Sequence, residues 1–155
     1  MAARRDAVLN KLWMWAFVAL FGLALTGCHT SQQARADAPE ANLNEAFTLG
    51  GGQEAVIASE NLRLRFGQVL EDSRCPARVE CVWTGQARIA VVVQPDGGEP
   101  STVTFNTNPA PGQTVNVVVV GEYSIELQSL DPYPQSPEEP IPFEDYRATL
   151  VVRTA

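Results

Sequence analysis

The sequence predicts an all-β fold, a single antiparallel β-sandwich or small barrel of about seven strands, on three observations. Apolar residues recur at every second position along most of the chain after residue 45, and clusters of turn-forming residues interrupt these runs. No segment in that region keeps a helical apolar period. The folded unit is expected over 45–155, roughly 110 residues, enough for one hydrophobic core and not for two.

Taken in order, the first strand is expected near Ala55 to Ala58, after the glycine run at Gly50. The second follows from Leu62, Leu64 and Phe66 alternating with Arg63 and Arg65, with Gly67 as a bulge before Val69. The third is the longest alternation, Val79 to Val93, with Val79, Cys81, Trp83, Gly85, Ala87, Ile89, Val91 and Val93 on one face and Glu80, Thr84, Gln86 and Arg88 on the other. Val103 and Phe105 mark the fourth, the apolar stretch Val115 to Val120 the fifth, and Tyr123, Ile125 and Leu127 the sixth. Tyr146, Ala148, Leu150 and Val152 mark the last. Turns fall at P-D-G-G from Pro95 and N-P-A-P-G from Asn108. The segment from Asp131 to Phe143 holds five prolines and cannot be a central strand, because each proline removes a ladder donor. It reads as a stiff, partly polyproline crossover that also shields a sheet edge, with a partner surface as the alternative. Cys75 and Cys81 lie too close together in sequence for the inter-sheet bridge of an immunoglobulin domain.

Ahead of this unit, Arg4, Arg5 and Lys11 precede an uncharged apolar run from Leu12 to Leu25, the order of an export signal. At about 14 residues the run is short of the ~20 that a spanning helix needs. It ends in L-T-G-C, Leu25 to Cys28, which resembles the lipobox of bacterial lipoproteins. That resemblance implies a signal peptide over 1–27 cut before Cys28, a lipid on the Cys28 thiol and acylation of the new amine. Two or three acyl chains hold a protein on a membrane stably where one does not. Residue His29 is not the aspartate associated with inner-membrane retention, so outer-membrane sorting is expected. Residues 28–44, lidded by no apolar pattern, read as the lipidated cysteine and a flexible tether.

Removing residues 1–27 takes away both methionines, the single lysine and two of three tryptophans. From Cys28 onward 17 acids face 8 arginines, a balance that argues against nucleic acid as a partner and against anionic headgroups. With Cys28 lipidated, Cys75 and Cys81 are left as a pair in an oxidising compartment, and a disulfide is expected. So small a ring contributes about 2 kcal/mol and mainly local rigidity.

Catalysis is restricted by what is missing. The one histidine, His29, sits in the tether, so residues 45–155 contain neither histidine nor lysine. Serine-histidine and cysteine-histidine nucleophiles, lysine Schiff bases, P-loops and histidine zinc sites have no residues to build them. Carboxylate pairs for glycoside hydrolysis would have to come from Glu71, Asp72, Asp131, Glu144 and Asp145, and their spacing singles out none. The expectation is a non-enzymatic protein with no cofactor and no metal motif.

The most distinctive segment is E-D-S-R-C-P-A-R-V-E-C-V-W-T-G, Glu71 to Gly85. It resembles small exported bacterial proteins and lipoproteins that carry a D-S-R-C-P then C-x-W-x-G signature. P-Y-P at Pro132 and D-Y-R-A-T-L-V-V at Asp145 fit the same group. That resemblance implies a disulfide-bearing β domain and brings no activity with it. The segment reads as a stapled corner in which Trp83 packs as core beside the sulfurs and Asp72 and Arg74 add a turn hydrogen bond or an ion pair. Three functions compete. An interaction or structural module of the envelope, docking a protein partner, is the expectation. The alternatives are a serine-protease inhibitor presenting Arg78 on the ring, and a calcium-binding surface drawn from Glu71, Asp72, Glu80, Asp131, Glu138, Glu139, Glu144 and Asp145, although no D-x-D-x-D-G loop is present.

Overall fold

A computed structural model describes residues 38–108 and 116–155. The expected signal peptide, Cys28, most of the expected tether and the P-A-P-G turn lie outside the described residues. Ala38 to Ala155 forms one compact unit.

Among the described residues nine strands build two sheets, against about seven expected. They are β1 (Glu40–Ala41), β2 (Ala46–Gly50), β3 (Glu54–Ile57), β4 (Leu62–Asp72), β5 (Ala87–Gln94), β6 (Ser101–Asn106), β7 (Val117–Val120), β8 (Tyr123–Asp131) and β9 (Arg147–Thr154). One sheet runs in the order β1-β3-β4-β5-β6 and the other β2-β9-β8-β7. All pairings are antiparallel except β1 with β3. The architecture is a sandwich, not a closed barrel.

Period-two patterning sets which residues face inward. Leu62, Leu64 and Phe66 are buried on β4 while Arg65 points to solvent. The register shifts between Phe66 and Gln68, at the expected bulge, and this turns Val69 back toward the core. A second shift between Leu127 and Ser129 does the same on β8, so that Leu130 is buried in step with Ile125 and Leu127. Phe105, Leu49, Ile89, Ala148, Leu150 and Val152 complete the interior from the other strands.

Three expectations are corrected. The tether was expected to reach residue 44, but β1 lies within it and buries Ala41 against β3. Its two residues are too few for a pattern to register in sequence. The alternation from Val79 does not make one strand to Val93, because β5 begins only at Ala87. Gly85 adopts φ +67°, and a Cβ there would lie 1.8 Å from the Ser73 carbonyl oxygen, so the chain folds back tightly at this point. The proline segment is not a crossover between sheets. It joins β8 to its neighbour β9 and covers an open end of the sandwich, where Ile141 and Phe143 pack on the core and the Phe143 ring meets Phe66 edge-on at 5.3 Å. Its return is fixed by Gly51, whose missing Cβ makes room for the Phe143 carbonyl.

Candidate functional site

Residues 73–86, between β4 and β5, continue the two strands as a short ribbon closed by Ser73 N–H to Gln86 O at 2.7 Å and Cys75 N–H to Thr84 O at 3.0 Å. At its tip Cys75 and Cys81 are disulfide-bonded, with Cα atoms 6.0 Å apart, as the sequence led us to expect.

Below the tip sits an arginine held from all sides. The Arg74 guanidinium donates through Nε to Asp72 Oδ1 at 2.8 Å and through one terminal nitrogen to Asp72 Oδ2 at 2.6 Å. It also donates to the carbonyls of Leu130 at 2.6 Å and Pro132 at 2.9 Å, where β8 runs into the proline segment. Its carbon lies 5.2 Å from the centre of the Tyr133 ring, a cation–π contact. The Tyr146 hydroxyl donates to Asp72 Oδ2 at 2.9 Å, and the Arg74 amide to Oδ1 at 3.2 Å. Four of the five guanidinium N–H groups are therefore engaged, and the carboxylate accepts four bonds. The ion pair expected between Asp72 and Arg74 is present, and it is buried, with side-chain exposures of 10% and 6%.

Titration follows this arrangement. Burial pushes the Asp72 carboxyl up, but the hydrogen bonds from Arg74 and Tyr146 and the guanidinium charge outweigh it and hold the carboxyl below its usual value. Burial and the bond to Asp72 push the Tyr146 phenol up to about 12.

The ribbon is braced elsewhere too. Ala77 and Arg78 donate their amides to the carbonyls of Pro134 and Gln135 at 2.9 and 3.2 Å, and Asn108 donates to Thr84 Oγ1 and Gly85 O at 2.8 and 2.9 Å. What the bracing carries is apolar. Val82 is 90% exposed and Trp83 81% exposed. The expectation that Trp83 packs as core beside the disulfide is therefore wrong, because the ring is closed over the proline segment and leaves the indole on the outer side. Val79 and Tyr133 are also exposed, and a shallow groove of about 350 Å³ is lined by the ring, Val82, Trp83 and Tyr133.

The other candidates are scattered. Glu71 accepts from Ser73 Oγ and lies 3.9 Å from Arg88, Asp131 accepts from Ser129 Oγ, and Glu144 and Asp145 are exposed on the 3₁₀ turn Phe143–Asp145. Asp72 is taken up by Arg74. Among the described residues no three histidine, cysteine, aspartate or glutamate side chains gather as a metal ligand set. Arg78 is exposed, but its amide and that of Ala77 are tied to the proline segment and Val79 N–H closes a turn on Pro76 O at 3.2 Å. The ring is thus a turn, not the extended strand with free edges that a protease cleft pairs with. The role of Tyr133 and Tyr146 was missed in sequence; P-Y-P and D-Y-R were visible, but nothing local shows that both tyrosines converge on Arg74 and Asp72.

Fold and site together define a disulfide-bearing β-sandwich whose β4–β5 ribbon is clamped to its β8–β9 connection and displays an apolar tip. No protein-family model matches the chain, and comparison with curated proteins and with solved structures gives no match.

Proposed function

We propose that this protein is a lipid-anchored, non-enzymatic β domain of the cell envelope, an interaction module whose contact surface is the tip of the stapled ribbon. The observation that carries the reading is the exposure of Val82 and Trp83 on a loop held by a disulfide, a buried ion pair and cross-loop hydrogen bonds. Tryptophan is the side chain that contributes most when buried at a contact. Holding it on a braced loop lowers the entropy lost on binding. The L-T-G-C sequence supports an anchor at Cys28, and the disulfide fits an exported, oxidising location.

Two experiments test this. Palmitate labelling of cells is expected to mark the wild-type chain and not Cys28→Ala, which accumulates as uncleaved precursor; equal labelling and maturation of the variant refutes the anchor. A photocrosslinking residue placed at position 83 in cells is expected to give adducts, to an envelope protein or to lipid, while one at Arg153, on β9, gives none. Silence at position 83 refutes the contact surface.

A further inference from the structure

The sandwich has two unlike ends, and its first described residues lie on the side of the apolar one. β1 is parallel to β3, with Glu40 opposite Val56, and β3 is antiparallel to β4, with Glu54 opposite Arg65. Ala38 and Pro39 therefore lie toward the end to which β4 runs on, past Arg65 to Asp72 and the ribbon tip. From Val92, opposite Arg65, back to Trp83 at the ribbon tip is nine residues, about 30 Å at most at 3.3 Å each. Ten residues separate Ala38 from Cys28, a contour of at most about 35 Å. An anchor at Cys28 is thus within reach of the plane of the ribbon tip.

The opposite end is formed by the connections 42–45, 58–61, 95–100 and 121–122, which carry Glu45, Glu60, Asp96, Glu99 and Glu122 and no basic residue. None of the exposed large apolar side chains lies in those turns. At the ribbon tip Arg78 and Glu80 offset each other beside Val79, Val82 and Trp83.

We infer that Val82 and Trp83 sit in the headgroup interface of the same bilayer that holds the acylated Cys28, giving the domain a second point of membrane contact and a fixed orientation. The inference rests on the lipoprotein reading above and names the occupant of its contact surface as a lipid surface. Tryptophan and tyrosine favour that interface because a flat apolar ring with a polar edge matches it. Two side chains bind a bilayer weakly, but a lipid anchor makes their insertion intramolecular and raises the effective concentration. With 16 acids against 7 arginines from Ala38 onward, the surface is zwitterionic in preference to anionic.

The mature chain carries its own probe, since from Cys28 onward Trp83 is the one tryptophan. The acylated protein is reconstituted in phosphatidylcholine vesicles, floated on a density gradient, and its emission recorded with acrylamide in the water and with brominated lipid in the bilayer. The expected result is co-flotation, emission at shorter wavelength than from Val82→Asp, quenching by bromolipid and loss of acrylamide quenching. Co-flotation with Trp83 quenched by acrylamide and untouched by bromolipid overturns the inference and leaves the anchor intact. Co-flotation with Trp83 protected from both quenchers also overturns it, in favour of cover by a second copy of the chain. Failure to float refutes the anchor itself, and the inference with it.

Discussion

Arg74 and Asp72, two residues apart on the strand exit, form a forked ion pair whose arginine also holds the carbonyls of Leu130 and Pro132 from the far sheet. The pair therefore joins two loops whose backbones belong to different sheets. Removing one partner leaves the other charge buried.

Arg74→Ala is expected to lose about 3 kcal/mol or more of stability, the scale for breaking a buried pair. Arg74→Lys is expected to recover little, because a lysine ammonium cannot fork onto a carboxylate and reach two carbonyls at once. Urea denaturation of the two variants checks this; full recovery by lysine would reduce the site to a point charge.

The same pair sets a pH dependence. The Asp72 carboxyl is lowered in the folded state, so its contribution is complete above the unfolded carboxylate range of about 4 and is lost as pH falls through the folded value. Tyr146 has the opposite sign: raised to about 12, its contribution is complete below the unfolded tyrosine value of about 10 and disappears as pH rises through about 12. Denaturation midpoints against pH are expected to fall more steeply in acid for wild type than for Asp72→Asn. Tyr146→Phe is expected to remove the alkaline component and cost about 1.5 kcal/mol, the lower value for a hydrogen bond to a charged group.

Glycine at two turns separates strain from crowding. Gly85 and Gly97 both have positive φ, but a Cβ on Gly85 meets the Ser73 carbonyl while one on Gly97 meets nothing within 4 Å. Gly97→Ala is expected to cost about 1 kcal/mol, the left-handed penalty alone. Gly85→Ala is expected to cost well beyond that and to displace the ribbon, read as a change in Trp83 fluorescence.

Trp83→Ala is expected to change stability by less than about 0.5 kcal/mol, as for an exposed side chain without partners. Phe66→Ala, fully buried on β4, is expected to cost about 3–5 kcal/mol. A large loss on Trp83→Ala in thermal melts would return the indole to the core.

The strands that the sequence displays most plainly are those with three or more alternating inward positions in a row, even where a bulge follows, as after Phe66 and Leu127. Leu62 to Phe66, Ile89 to Val93 and Ala148 to Val152 all face inward as read. β2 was missed because Phe47 and Leu49 give only two inward positions before the glycines. The false continuation through Cys81 and Trp83 arose because alternation reports a face only where the backbone stays extended, and Gly85 ends that condition. Asp72 and Arg74 were visible as neighbours. Their burial was not, since it comes from Leu130, Pro132, Tyr133 and Tyr146, more than 50 residues away in sequence, and no local signal encodes that closure.

β2, among the first strands of the domain, pairs with β9, the last, and Thr48 and Thr149 share a hydrogen bond across 101 residues. A chain made N-terminus first cannot finish its second sheet until β9 has emerged. Most of the loop entropy is lost before that strand can offset it, which makes such topologies slow to fold. The first sheet, β1-β3-β4-β5-β6, has no such dependence, so it is the closing of the core by β2 and β9, and not the first strand pairing, that sets when the sandwich becomes a rigid body.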